Sequence, residues 1–317
     1  MIDFRYLLVT IVGIFLALTI GIALGAGFLG EPLRKNLQNR IQTVEGEVQE
    51  QRSQIAQLND QNDEIAAFIQ AAEPWTIQDR LDGHDVVLFT IDGADGGVVG
   101  GTIDTLESAG AEVVTEISLG EKLALENEPV VNELATIVDS VAGEKRGVLL
   151  DAASALGEQA ASLAANGEGL TPDGKPSTQE SYEDLLGLLE EKDFISVPRR
   201  SDENDLIPRN ASFVIAGGNA TSQPFDVPSL VTRLALDLAA RSIEVVVTES
   251  SSSQWAMVET IRNDGEADVL VSTVDVGELP RGHIAVVLSL SRDASEPPGH
   301  YGNSEGTLPL PNPPPTE

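Results

Sequence analysis

The chain has 317 residues, 41% of them hydrophobic and 22% charged, which is enough apolar material for a folded domain with extensions. Asp and Glu number 51 against 19 Lys and Arg, a formal charge of −32, so the surrounding field repels phosphate backbones and argues against nucleic acid as a partner. Cysteine is absent, which removes disulfides, thiolate nucleophiles and zinc or iron–sulfur centres built on Cys.

Residues 6–30 read YLLVTIVGIFLALTIGIALGAGFLG without one charge, long enough to cross a hydrocarbon core of roughly 30 Å at about 1.5 Å per residue. The expectation is a transmembrane anchor over residues 1–30. A cleaved signal peptide is the competing reading, because Arg5 precedes the run and small residues close it. Signal cores, however, span only about 7–15 residues. Gly21 and Gly25 have the GxxxG spacing that lets two membrane helices approach closely. Gly25, Gly27 and Gly30 also spell GxGxxG, but at the end of an apolar helix rather than after a strand, so dinucleotide binding is rejected. Arg34, Lys35 and Arg40 follow the span while only Arg5 precedes it. That bias alone favours a cytoplasmic C-terminal side, although long domains are translocated despite it.

Residues 31–73 are expected to form a coiled-coil stalk. Apolar steps of four and three place Ile41, Val48, Ile55, Asn62 and Ile69 at a, and Leu37, Val44, Gln51, Leu58 and Ile65 at d. β-Branched residues at a, with a single Asn there, favour a parallel two-stranded coil and hence a homodimer. The alternative is one amphipathic helix lying on its own domain. Glu73 and Pro74 mark the expected end of the pattern.

Residues 74–295 read as an α/β domain with a largely parallel, Rossmann-like sheet covered by helices. Strands are expected at 85–91, 111–119, 194–197, 212–217, 243–248, 267–273 and 283–291. Helices are expected at 98–109, 134–141, 152–165, 182–191 and 229–240, with exposed loops at 166–178 and 201–210. Ligands of such sheets sit at the carboxyl ends of strands, which directs attention to TIDGADGG (90–97) and GGNA (217–220). Neither is a phosphate-binding signature, and Asp92 and Asp95 read as turn formers rather than cation ligands. Residues 296–317 hold seven of the 17 prolines and read as a solvated, disordered tail.

Chemistry is sparse. His84, His283 and His300 lack ligand spacing, and no GxSxG elbow exists, so no catalytic residue and no metal ligand is assigned, and no cofactor is identified. A small-molecule or enzymatic site would have to use the loops at Asp92 and Gly217.

The opening MIDFRYLLVTIVGIFLALTIGIALGAGFL, the coiled coil from Leu37, DVVLFTIDGAD, VVTEISL, FVIAGG and the closing GHYG (299–302) together resemble the actinobacterial MctB-like copper-transporter family, which includes SteB-type cell-separation proteins. The resemblance covers nearly the whole chain through order and spacing. It implies a non-enzymatic cell-envelope protein, anchored in the membrane with its main domain extracytoplasmic, acting in copper efflux or homeostasis. The other branch implies a scaffold that promotes peptidoglycan hydrolysis and cell separation through a cell-envelope protein partner. Copper(I) prefers soft sulfur ligands, and only Met1 and Met257 supply sulfur.

Overall fold

The computed structural model describes residues 4–28, 30–141, 143–167, 169–170, 176–200, 205–292, 296–304, 306–308 and 310–311. Met1, parts of the two expected loops and the last six residues of the expected tail lie outside the described residues. The chain divides into two units, Met1–Ala66 and Ala67–Glu317.

The first unit is helical. α1 (Phe4–Phe28) contains the stretch Arg5–Ala23, long and apolar enough to cross a membrane. α2 (Gly30–Ile77) carries the whole heptad run on one helix of 48 residues. Its composition, rich in Gln, Glu, Arg and Ala, favours helix along its length. The helix does not stop where the sequence pattern suggests: Pro74 lies inside it, and one further turn follows to Ile77. Proline at that place sacrifices a single backbone bond near the helix end, where the loss is smallest.

The second unit is α/β. Its strands and helices follow as β1 (Asp85–Ile91), α3 (Gly96–Ser108), β2 (Glu112–Leu119), α4 (Glu128–Ile137) and α5 (Lys145–Asn166). A short antiparallel pair, β3 (Gly169–Leu170) and β4 (Pro176–Ser177), leads to α6 (Gln179–Glu191), β5 (Ile195–Arg200) and β6 (Ser212–Gly217). The chain continues as α7 (Val227–Ala239), β7 (Val245–Glu249), α8 (Met257–Asn263), β8 (Ser272–Val274), α9 (Pro280–Leu290) and β9 (His300–Tyr301). The main sheet runs β5-β2-β1-β6-β7-β8-β9, with every pairing parallel except the antiparallel β2–β5 edge.

Alternation along the strands builds two cores. Val87, Phe89 and Ile91 of β1, with Phe213 and Ile215 of β6 and Val247 of β7, enter the larger core beneath α4 to α8. Val86, Leu88, Val214, Ala216 and Val246 point the other way, into a smaller core with α3, α9 and Ile77. Each face of the sheet is therefore covered, as parallel pairing requires. Local signals start the helices: Asp95 accepts from the Gly97 amide at α3, Asn127 from Val130 at α4, and Thr178 and Ser181 form a reciprocal box at α6.

Two expectations are overturned. The run 283–291 is the body of α9 rather than a strand, because a helix buried on most sides is as continuously apolar as a buried strand. Pro280 at its first turn is the helix-start signal. The run 267–273 begins as a single 3-10 turn, Ala267–Val269, and only its last two residues join β8. In the segment read as tail, His300–Tyr301 pair with Thr273 and Val274, which makes β9 the edge of the sheet.

Candidate functional site

The strand order reverses direction between β1 and β6, and the two loops singled out in the sequence leave the carboxyl ends of these strands. They are stitched together. The Asp95 amide donates to the Gly218 carbonyl at 2.9 Å, Asn219 Nδ2 donates to the Gly93 carbonyl at 2.7 Å, and the Gln254 amide donates to the Asn219 carbonyl at 2.9 Å. A Cβ at Gly217 would strike Ile91 and Met257, so the crevice is filled by packing. Asp95 is committed to capping α3. The Asp92 and Gly217 loops are thus held together by backbone bonds and the Asn219 side chain.

The open space lies further along the same edge. Loops after β7, β8 and β9, with one face of α8, line a cleft of about 850 Å³. Its base is Glu249, buried, whose carboxylate accepts from Ser253 Oγ at 2.5 Å and from the Val258 amide at 2.9 Å. Opposite, Arg262 donates to Asp275 Oδ2 at 2.7 Å, Thr273 Oγ1 at 2.8 Å and the Tyr301 carbonyl at 3.2 Å. Asp275 also accepts from the Asn303 and Ser304 amides. Burial alone would raise its pKa, but hydrogen bonds from Ser304, Arg262 and the Asn303 amide outweigh burial and hold the carboxyl below its ordinary value. Gly302 passes so close to this carboxylate, at positive φ, that any side chain there would collide with it. The GHYG run is accordingly the segment that fastens β9 to the sheet. Nothing in the sequence spacing brings Glu249, Arg262, Asp275 and Asn303 together; only the fold does.

The histidines are dispersed. His300 Nδ1 lies 2.7 Å from Thr273 Oγ1 and Nε2 lies 2.9 Å from Asp268. The His283 ring rests on Gly101 of α3, with Nε2 buried and without a partner among the described residues. His84 sits just before β1. Among the described residues no three His, Cys, Asp or Glu side chains converge as a metal site. Met257 is fully buried in the larger core.

The ten seam positions all fall on α2. Leu37, Ile41, Val44, Val48, Ile55, Leu58 and Ile65 are between 40% and 58% exposed, and Gln51 and Asn62 are exposed as well. Ile69, on the part of α2 that belongs to the second unit, instead packs against that unit's smaller core.

Comparison with known proteins covers the same span. The family described as "Copper transport outer membrane protein, MctB" matches residues 1–311. The copper transporter MctB of Mycobacterium tuberculosis is 27% identical over 323 residues, covering 97% of this chain and 98% of the relative, and that of Mycobacterium bovis is equally similar. The copper transporter MctB of Mycobacterium leprae is 26% identical over 297 residues, covering 92% of each. With its anchor-length helix, its heptad helix and its α/β domain all inside the matched span, the chain belongs to the MctB family of copper transport outer membrane proteins.

Proposed function

We propose that this protein serves copper transport across the cell envelope as a membrane-anchored, non-enzymatic factor. The observation that carries the reading is the family match over residues 1–311, joined by relatives of nearly equal length that are named copper transporters. Those names do not favour the alternative role in peptidoglycan hydrolysis.

The chemistry of the chain narrows how copper is handled. A resident Cu(I) site built on sulfur has no cysteine to use, and the one methionine among the described residues is sealed in the core. In this reading copper is the cargo. The main sheet is open, bounded by β5 and β9, with helices against both faces. Such a sheet does not enclose a lumen, and a single apolar helix encloses none either, so a conduit requires several copies or another protein.

In this reading Arg5–Ala23 is the anchor and the α/β domain lies outside the cytoplasm. The basic residues Arg34, Lys35 and Arg40 argue the other way, but a domain of this length is carried across regardless of them. The stalk over residues 31–73 joins two copies, supported by the exposed heptad stripe and its β-branched a positions. Deleting the gene tests the central claim: cells lacking the protein accumulate copper and become copper-sensitive, and a wild-type copy reverses both. Unchanged copper content and sensitivity would overturn it.

A further inference from the structure

We propose that the groove between α4, α5 and α6 is a docking site for an amphipathic helix of a partner protein carrying basic residues along its flanks. The inference rests on this surface alone and stands apart from the copper reading.

The groove measures about 580 Å³. One wall is α5, which presents Asp151, Ser154, Ala155 and Glu158, spaced by three and four so that they share a helix face. The other is α6, which presents Ser181, Asp184, Leu185 and Leu188 at the same spacing. The end of α4 and its following turn close the groove with Ile137, Val138 and Val141. Two helix faces of this kind, with Ile137, Val138, Leu185 and Leu188 among them, suit a third helix laid in the groove and anchored at i, i+3, i+4 and i+7.

Apolar side chains are left in water here. Val141 is 100% exposed and Leu188 47% exposed, and both line this one groove. Leu185, beside Leu188, is already 8% exposed and extends the apolar strip into the core. Apolar residues gathered in one groove, rather than scattered singly, are the kind of surface that interaction sites use.

Charge selects the occupant. Asp139, Asp151, Glu158 and Asp184 line the groove, and no Lys or Arg does. Ser140 Oγ donates to Asp151 at 2.5 Å, and Arg233, at the edge of the groove, donates to Ser154 Oγ at 2.7 Å and lies 3.8 Å from Glu158, so four carboxylates face one guanidinium. A second copy of this acidic chain would bring like charge to the site, and an acidic peptide would do the same. A helix with an apolar stripe flanked by Lys or Arg meets both requirements.

The test uses the full chain in phosphatidylcholine nanodiscs, with empty nanodiscs measuring lipid partition. The probes are two helical peptides of about 18 residues with the same leucine stripe, one flanked by Lys and one by Glu. Binding of the Lys peptide is expected, with at least tenfold weaker binding of the Glu peptide. Val141→Asp combined with Leu188→Asp should weaken the Lys peptide at least tenfold. Both sites are exposed, so the domain stays folded, which circular dichroism checks. The pair of substitutions adds negative charge, so diffuse attraction of a cation to an acidic protein predicts stronger binding, the opposite sign. Affinity that is unchanged or increased in the variant, equal binding of the two peptides, or no binding of the Lys peptide beyond that to empty discs would each overturn the proposal.

Discussion

Leu58 on α2 and Leu88 in β1 are the same residue in opposite circumstances: one is 58% exposed, the other fully buried between strands and helices. The contrast extends through the two units. Seven apolar seam positions from Leu37 to Ile65 stand at 40% exposure or more, while β1, β6 and β7 bury nearly every side chain they have. Burying a leucine is worth roughly 1.5–3 kcal/mol, so the domain draws its stability from its own chain. The helix of the first unit holds the same kind of free energy in reserve, realised only when another surface covers the stripe. Exposed apolar residues at 3.5-residue spacing are thus informative in a way that scattered ones are not.

Three experiments sharpen or break this comparison. The largest effect belongs to the domain: Leu88→Ala empties space that the two-sided packing cannot refill and should cost about 2–5 kcal/mol, read as a lower denaturant midpoint of the domain transition. Leu58→Ala should leave that transition where it is. If both shifted it equally, the stripe would already be packed against its own chain.

Next in size is the assembly effect. Ile55→Lys with Leu58→Glu places charge in the seam, and sedimentation of the detergent-solubilised chain should change from dimer to monomer while the thermal transition of the domain stays constant. A monomeric wild-type chain would remove the paired stalk from the proposal.

The smallest effect is at Asp275. Its carboxyl is held below the ordinary value in the folded state, so it contributes stability that is present above its unfolded pKa of about 3.8 and is lost as pH falls through the folded value. Asp275→Asn should lower stability at neutral pH by about 1.5–3 kcal/mol, the range for hydrogen bonds to a charged group. Below pH 4 the wild type should lose stability with falling pH more steeply than the variant. Parallel pH profiles for the two proteins would show that the contacts from Arg262, Asn303 and Ser304 do not stabilise the ionised form.

Much of the fold was legible because its central strands are short apolar runs closed by turn residues. DVVLFTI is β1 from end to end, and SFVIAG is β6. Legibility failed where period carries no information: α9 is apolar on most sides, and its helical nature is announced only by Pro280. It failed again at β9, two residues among prolines, whose pairing depends on Arg262 and Asp275 far away in sequence. The site was harder still. The loops at Asp92 and Gly217 were correctly placed at strand ends, yet sequence could not disclose that Asn219 and Asp95 spend their hydrogen bonds on closing the gap. The cleft beyond β7 and the acidic groove of α4, α5 and α6 join residues from three or more elements, a juxtaposition that periodicity along one element never displays.

Because β9 comes from residues 300–301, after every other element of the sheet and its covering helices, the sheet receives its last edge only once all of those elements have been made. Until then β8 offers bare backbone donors and acceptors to any extended segment nearby. A transcript cut short before Gly299 would therefore yield a nascent product with every large core element present but with one seam of its sheet open. Such a product would be a natural substrate for quality-control proteases and a seed for edge-to-edge association. The GHYG run works as a clasp, deciding whether β8 is an interior strand or an open edge.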